Sequence, residues 1–468
     1  MKTNFLGGAY KLNSLPLAAQ TCINLYPERN ESGVGDVGAF QRTPGLRRVT
    51  TLDQTACRGL HQAGGYLWAV YGPTLYRISS GMQVTAVGQL TSSVGPVEIV
   101  HSPTNVVVAH SDGWHSVRLD TMALTYIEDS PRASDACFID NYIVGADTDG
   151  TYKWANVGTV VVDPLNFASA EGSPDYIVRT LSDHRELWLF GTDSVEVAVV
   201  TSDPDLPFTR TSYIEQGILA PRSACKIDNS VYWLGQSEYG QGVVYAAEGY
   251  TPRRISTLAI EQAIAGYDNP ATGRAYTYQQ DGHHFFVLSF DEATWVYDIN
   301  SQEWHQRGYR DPDTGVIGRH RSQCHAILGY THYVGDYEDG RLYALDPNYY
   351  TDDGDEIYWE RTWRQDDSEC RRVDYLRGEL VVDTGTALDG SPQSDWGDPQ
   401  VWLSWSDDGG RTWSSEEARS LGGLGDYRKR VVWRRMGRAE NRYFRLRGSA
   451  AVPTTLRGFN LDARILKR

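Results

Sequence analysis

The chain reads as an all-β protein, a β-propeller of about seven blades followed by a C-terminal antiparallel β-sandwich. Three observations predict this. Short apolar strands separated by Gly, Asn and Asp turns recur between residues 57 and 346 with a step of about 44 residues, within the range of four-stranded blades. Only one segment carries a helical period. Beyond residue 360 the two-residue strand period continues, but the longer rhythm stops. With 468 residues, 40% hydrophobic and 12% aromatic, the chain can bury a sizeable core and is long enough for two domains.

Residues 1–50 lack strong periodicity. They contain INLYPERNESGVGDVGAF and the turn Thr43-Pro44-Gly45-Leu46. We expect an N-terminal arm with one or two strands, packed on the body. The propeller is expected over 51–350. Its units read LHQAGGYLWAVYGPTLYRI (60–78), VEIVHSPTNVVVAHSDGWHSV (97–117), ACFIDNYIVGADTDGTYKW (136–154) and VRTLSDHRELWLFGTDSVEVAVV (178–200). They continue with SACKIDNSVYWLGQSEYGQGVVYA (223–246), AYTYQQDGHHFFVLSFDEATWVYDI (275–299) and CHAILGYTHYVGDYEDGRLYALD (324–346). Their first turns fall near residues 65, 105, 141, 184, 229, 282 and 331. Seven blades fit best; six follow if the arm and the last unit share one.

Between the fifth and sixth units, STLAIEQAIAGY (256–267) places Leu258, Ile260, Ile264 and Tyr267 near helical spacing. Ser256 is the expected cap and Gly266 the expected end. The acidic, turn-rich YYTDDGDEIYWE (349–360) marks a boundary. The sandwich is expected over 351–468, interrupted by a loop rich in Gly, Ser, Asp and Pro at 384–399.

Charge is unevenly spread. The chain carries −16 overall with a pI near 5.1. Yet YRKRVVWRRMGRAENRYFRLRG (427–448) holds nine Lys and Arg against Glu440, about +8. It reads as two strands, 430–435 and 443–447, joined by a turn at 437–441. Strand alternation puts Val431, Trp433, Phe444 and Leu446 on one face and Arg430, Arg434, Arg445 and Arg447 on the other. That face is either a solvated edge that deters strand addition or a docking surface for an acidic partner. The remaining body is too acidic to grip nucleic acid over most of its surface, because phosphate contacts need Lys and Arg.

No catalytic centre emerges, and the chain reads as a non-enzyme. Ser406-Asp407-Asp408-Gly409-Gly410-Arg411-Thr412-Trp413 matches the Asp-box of sialidase-like propellers, whose Asp braces a hairpin through backbone amides. It occurs once, outside the repeats, with no arginine triad or Tyr/Glu pair inside them. His283 and His284 are adjacent on a strand and point to opposite faces, so they cannot chelate one metal. No H-E-x-x-H, C-x-x-C, EF-hand, P-loop, G-x-S-x-G or dinucleotide fingerprint is present, so neither metal nor cofactor residues are assigned. The carboxylates Asp352, Asp353, Asp355, Glu356, Asp366, Asp367 and Glu369 read as solvated loops. Six scattered cysteines (22, 57, 137, 225, 324, 370) read as buried free thiols. The start has no apolar leader, no run approaches a membrane span, and the expected compartment is a cytoplasm.

The basic stretch, with TTLRGFNLDARI after it, resembles the C-terminal signature of the packaged DNA stabilisation proteins of short-tailed bacteriophages, the tail hub or stopper proteins of Salmonella-type podoviruses. INLYPE…GAFQRTPGL is similar to that family's opening. The likeness is good at both ends and loose in the middle, where only rhythm and size agree. The resemblance implies a non-enzymatic virion protein, assembled in the host bacterial cytoplasm, that forms a homohexameric ring below the portal and head-to-tail adaptor. It further implies a protein that closes or extends the DNA channel, stabilises packaged DNA, contacts a tail needle and helps seat tailspikes. Double-stranded DNA would pass an acidic lumen without sequence-specific binding. Arg430, Arg434, Arg445 and Arg447 are the expected partner-binding residues. The alternative is a sialidase-like glycan-binding or glycan-cleaving propeller, favoured by the Asp-box, 14 Trp and 29 Tyr. A third reading has the arginine face gripping DNA phosphates.

Overall fold

The computed structural model describes residues 4–30, 37–170, 172, 175–203, 206–236, 240–365, 371–385 and 398–466. Cys370, the carboxylates Asp366, Asp367 and Glu369, and most of the 384–399 loop lie outside them.

Six antiparallel four-strand units follow one another in chain order, spanning 57–89, 98–127, 137–168, 177–214, 225–254 and 274–307, the sixth as part of a larger sheet. They are the first six blades. The seventh combines Ser322–Leu328, Thr331–Asp336 and Arg341–Asp346 with a fourth strand from the N-terminal segment, Gly45–Thr51. That strand runs antiparallel to Arg341–Asp346, with Gly45 opposite Asp346 and Thr51 opposite Arg341. Seven blades therefore stand, and the N-terminal segment supplies the outer strand of the last.

The blades close into a ring because each middle strand is buried on both faces. In Tyr66–Tyr71, Trp68 and Val70 pack on Ile99, Val106 and Val108 of the second blade. The alternate residues Leu67, Ala69 and Tyr71 pack on Tyr333 and Leu342 of the seventh. The same sharing runs around the ring: Trp114 meets Ile143, Trp154 meets Phe208, and Phe190 meets Trp233. Tyr232 then stacks on Phe286, and Val287 joins Val334 and Tyr343.

All seven expected first turns fall in the hairpin between a blade's first and second strands. Several place two consecutive residues at positive φ, as a two-residue type I′ hairpin requires. Examples are Asp140 and Asn141 (42° and 70°) and Asp228 and Asn229 (52° and 63°).

The helix forms as Leu258–Ala265 between the fifth and sixth blades. Ile260 and Ile264 are buried among residues of both blades, whereas Leu258 is exposed. Its cap is Thr257, whose side chain accepts from the Ile260 amide; Gly266 ends it. The expected cap Ser256 turns inward, where its hydroxyl accepts from the Val244 amide and donates to Glu261.

The C-terminal sandwich packs two sheets over a core of Trp363, Tyr375, Trp433, Phe444 and Phe459. One sheet holds Trp359–Gln365, Arg442–Gly448, Gln400–Ser406 and Glu417–Ser420. It continues through Cys22–Ile23 into the sixth blade, where Ile23 pairs with Gln306. The other sheet begins with Leu25–Arg29 and Gly38–Arg42, followed by Leu456–Ile465, Val373–Val382 and Val431–Arg434.

The first 50 residues thus hold more strands than the one or two expected, and they belong to both halves of the molecule. Two buried arginines fasten them. Arg361 donates to the carbonyls of Phe5, Gly8 and Thr21. Arg42 donates to those of Ala450, Val452 and Ile357.

The acidic run after residue 349 is only partly the solvated loop expected. Asp352 is buried, its backbone pairs with Leu46, and burial pushes its carboxyl up to about 7.

Candidate partner-binding surfaces and the axial cavity

The structure overturns one premise of the arginine site. The two basic strands are not a hairpin. Val431–Arg434 pairs with Val373–Val382 in one sheet of the sandwich. Arg442–Gly448 pairs with Trp359–Gln365 and Gln400–Ser406 in the other. The inward residues do meet, since Val431, Trp433, Phe444 and Leu446 share the core. With both strands aiming their apolar residues at one core, their arginines point away from it on opposite outer faces. Arg430 and Arg434 sit on one side of the sandwich, Arg445 and Arg447 on the other.

Tertiary partners also offset much of the local charge. Arg430 forms a forked pair with Glu379 at 2.7 and 2.9 Å. Arg445 lies over the Trp413 ring at 4.3 Å and reaches Glu416 at 3.6 Å, and Arg447 binds the same carboxylate. Lys429 pairs with Asp426, Arg438 with Asp374, and Arg442 with Asp407. These carboxylates all lie outside the basic stretch, so its sequence shows none of them. Arg428, Arg434 and Arg435 have no carboxylate partner among the described residues, and all three are exposed. They concentrate the remaining positive charge at one edge of the sandwich.

The Asp-box is a braced hairpin. The Asp408 carboxylate accepts from the Arg411 and Thr412 amides at 3.0 and 2.9 Å and from the Thr412 and Ser406 hydroxyls at 2.7 Å. Those bonds, the Thr412 amide first, hold its carboxyl well below the usual range. Neighbouring Asp407 clamps the buried Arg442 guanidinium at 2.6 and 2.7 Å. The hairpin lies in the sandwich, outside the seven blades.

Sequence reasoning missed the propeller axis. First strands of six blades line a cavity of about 410 Å³ there, with Arg58, Glu98, Arg179, Arg222, Lys226, Arg274 and Cys324 in its wall. Glu98 binds Arg179 and Arg222, each at 2.6 Å. Arg179 also reaches Asp135 at 2.9 Å, and Asp135 accepts from the Thr180 and Ala146 amides. Burial would raise the Glu98 carboxyl, but the two guanidiniums outweigh it and hold it below its ordinary value. At Asp135 burial wins and the carboxyl is raised. Four blades are thereby tied across the axis, and the space left suits a small molecule rather than a nucleic-acid duplex. The signal available in the sequence was a charged residue in a blade's first strand, repeated at Arg58, Glu98, Arg179 and Arg274.

Comparison with known families decides the classification. Residues 1–350 match the family model of the bacteriophage P22 Gp10 β-propeller, and residues 358–464 match that of the Gp10 β-sandwich. The chain belongs to the P22 Gp10 family. It is a phage structural protein. The resemblance to the packaged DNA stabilisation proteins seen at the two ends of the sequence holds, as does the propeller-plus-sandwich architecture.

No curated relative matches the chain. Among solved structures, virginiamycin B lyase from Staphylococcus aureus is similar at 10% identity, with a TM-score of 0.46 over 64% of this chain and 98% of that one. The computationally designed Ika8 protein is similar at 13% identity, with a TM-score of 0.42 over 65% and 99%. No helix among the described residues is long and apolar enough to cross a membrane.

Proposed function

We propose that this Gp10-family chain is a non-enzymatic tail hub or stopper. In this reading six copies form a ring below the portal and its adaptor, extend or close the DNA channel, and anchor the tail needle and tailspikes. Assembly takes place in the host bacterial cytoplasm. The observation that carries the reading is the family match over both the propeller and the sandwich.

The architecture supports it in two ways. Strands of the N-terminal segment belong to blade six, blade seven and both sandwich sheets, which suits a part that transmits load between neighbours. The tied, narrow propeller axis favours a DNA passage between copies, along an acidic lumen where like charges repel.

Arg430 and Arg434 on one face, and Arg445 and Arg447 on the other, are proposed contacts to acidic neighbours. Because the faces are opposite, a given neighbour meets one pair. The test is cryo-electron microscopy of the tail, with adaptor pull-down by two double variants, Arg430→Glu with Arg434→Glu and Arg445→Glu with Arg447→Glu. The expected result is a ring of six and loss of adaptor binding in one variant only. Full binding by both variants would remove the arginine proposal, and absence of the chain from purified tails would remove the hub reading.

A further inference from the structure

Two cysteines meet where the propeller closes. Cys57 opens the first strand of the first blade, Cys57–Ala63, and Cys324 lies in the first strand of the seventh. They are separated widely in sequence, and three contacts fix their relation. Cys324 stands opposite Gly335 in the ladder of the seventh blade. A methyl group on Gly335 would lie 2.3 Å from both Cβ and Sγ of Cys57, so the Cys57 side chain fills the space that a side chain at 335 would take. The Cys324 sulfur lies 3.9 Å from the Cys57 carbonyl oxygen, to which Gln323 donates at 2.8 Å.

The two thiols differ in setting. Cys57 is fully buried, and burial pushes its thiol up. Cys324 is half-buried and lines the axial cavity together with Arg222 and Arg274. The neighbouring Cys57 side chain, then Arg274 and Arg222, outweigh burial and hold the Cys324 thiol below its ordinary value. A low thiol in an electropositive cavity is the usual setting of a reactive cysteine.

We propose that Cys57 and Cys324 are a disulfide site, closing under oxidation into a covalent staple between the first and seventh blades. The oxidant is a small organic disulfide of the glutathione type, admitted through the axial cavity. The Cys324 thiolate attacks one sulfur of that disulfide, forming a mixed disulfide and releasing one thiolate. Cys57 then loses its proton and attacks the Cys324 sulfur, and the second thiolate leaves. The protein gives up two electrons and the protons of two thiols, and the oxidant becomes two thiols. In a reducing cytosol the pair stays open, and oxidising surroundings close it. This proposal is independent of the tail-hub reading.

The test uses the full-length reduced protein. It is exposed to glutathione disulfide, blocked with iodoacetamide, denatured and mapped by mass spectrometry beside a thermal melt. The expected result is a peptide pair joining residues 57 and 324, with a thermal midpoint raised by about 5 °C or more and restored by a phosphine reductant. Cys324→Ser should lose both effects. Cys57→Ser should do the same, and since Cys57 is the more buried, Cys324→Ser stands as the control if that variant misfolds. Recovery of both cysteines alkylatable after oxidation, of Cys324 only as a glutathione adduct, or of either joined to another cysteine would overturn the proposal.

Discussion

Replacing Arg42 tests whether buried guanidinium bonds bind the N-terminal segment to the sandwich. Arg42 donates to Ala450 and Val452 at 2.6 and 2.9 Å and to Ile357 at 3.1 Å, in a place where water cannot substitute. Bonds from a charged donor contribute about 1.5–3 kcal/mol each, so three supply about 4.5–9 kcal/mol. Against this stands the cost of burying the cation. Burial pushes Arg42 down from 12.5 to about 10, which corresponds to about 3.4 kcal/mol. Arg42→Met keeps most of the volume and removes both contributions. The expected net loss is about 1–6 kcal/mol, centred near 3. Urea unfolding followed by tryptophan fluorescence reads it, and limited proteolysis locates it in the first 50 residues. A variant whose stability falls by less than about 0.5 kcal/mol, with an intact N-terminus, would refute the reasoning.

Three further outcomes follow from the same geometry. His320 is buried, and burial, then Arg307, Arg319 and Arg321, push it down to about 3. The unfolded chain takes its proton below about pH 6.5 and the folded chain does not, so this site alone lowers stability by about 2 kcal/mol at pH 5. His320→Asn should flatten the acid slope of stability, measured by urea unfolding between pH 7 and 5. At Gly340, a Cβ would lie 1.7 Å from the Asp53 carbonyl oxygen and 2.3 Å from its carbon, both backbone. Gly340→Ala should displace the chain that enters the first blade and cost at least about 1–3 kcal/mol in a chemical melt. Asp408→Ala removes the brace of the 406–413 hairpin; new proteolytic cleavage there with an unchanged propeller melt is expected, and uncut protein would argue against bracing.

How much of each blade was legible depended on burial. The recognised units cover the first three strands, whose runs such as LWAVY and WLF are buried on both faces. The fourth strands went unread. Val84–Gln89 is largely exposed and Phe208–Ile214 mostly so, and an outer strand that faces water need not be apolar. In the seventh blade that strand comes from the other end of the sequence. Nothing local to Gly45–Thr51 says that its ladder partner is some 300 residues away.

The arginine stretch shows the same division. Alternation correctly placed Val431, Trp433, Phe444 and Leu446 inward, because side-chain direction is a property of each strand alone. It could not say whether the strands pair with each other. In the fold each joins a different sheet, so the turn between them crosses the sandwich and parts the arginines.

Local order along the chain determined the class of fold, the blade rhythm, the turn positions and the helix, since each arises from propensities and burial patterns within a few residues. Only the tertiary structure decided ring closure by the N-terminal strand, the carboxylates that offset the basic stretch, the charge cluster on the axis and the meeting of Cys57 with Cys324. These depend on contacts between residues far apart in sequence, which long-range packing brings together and which no local pattern encodes.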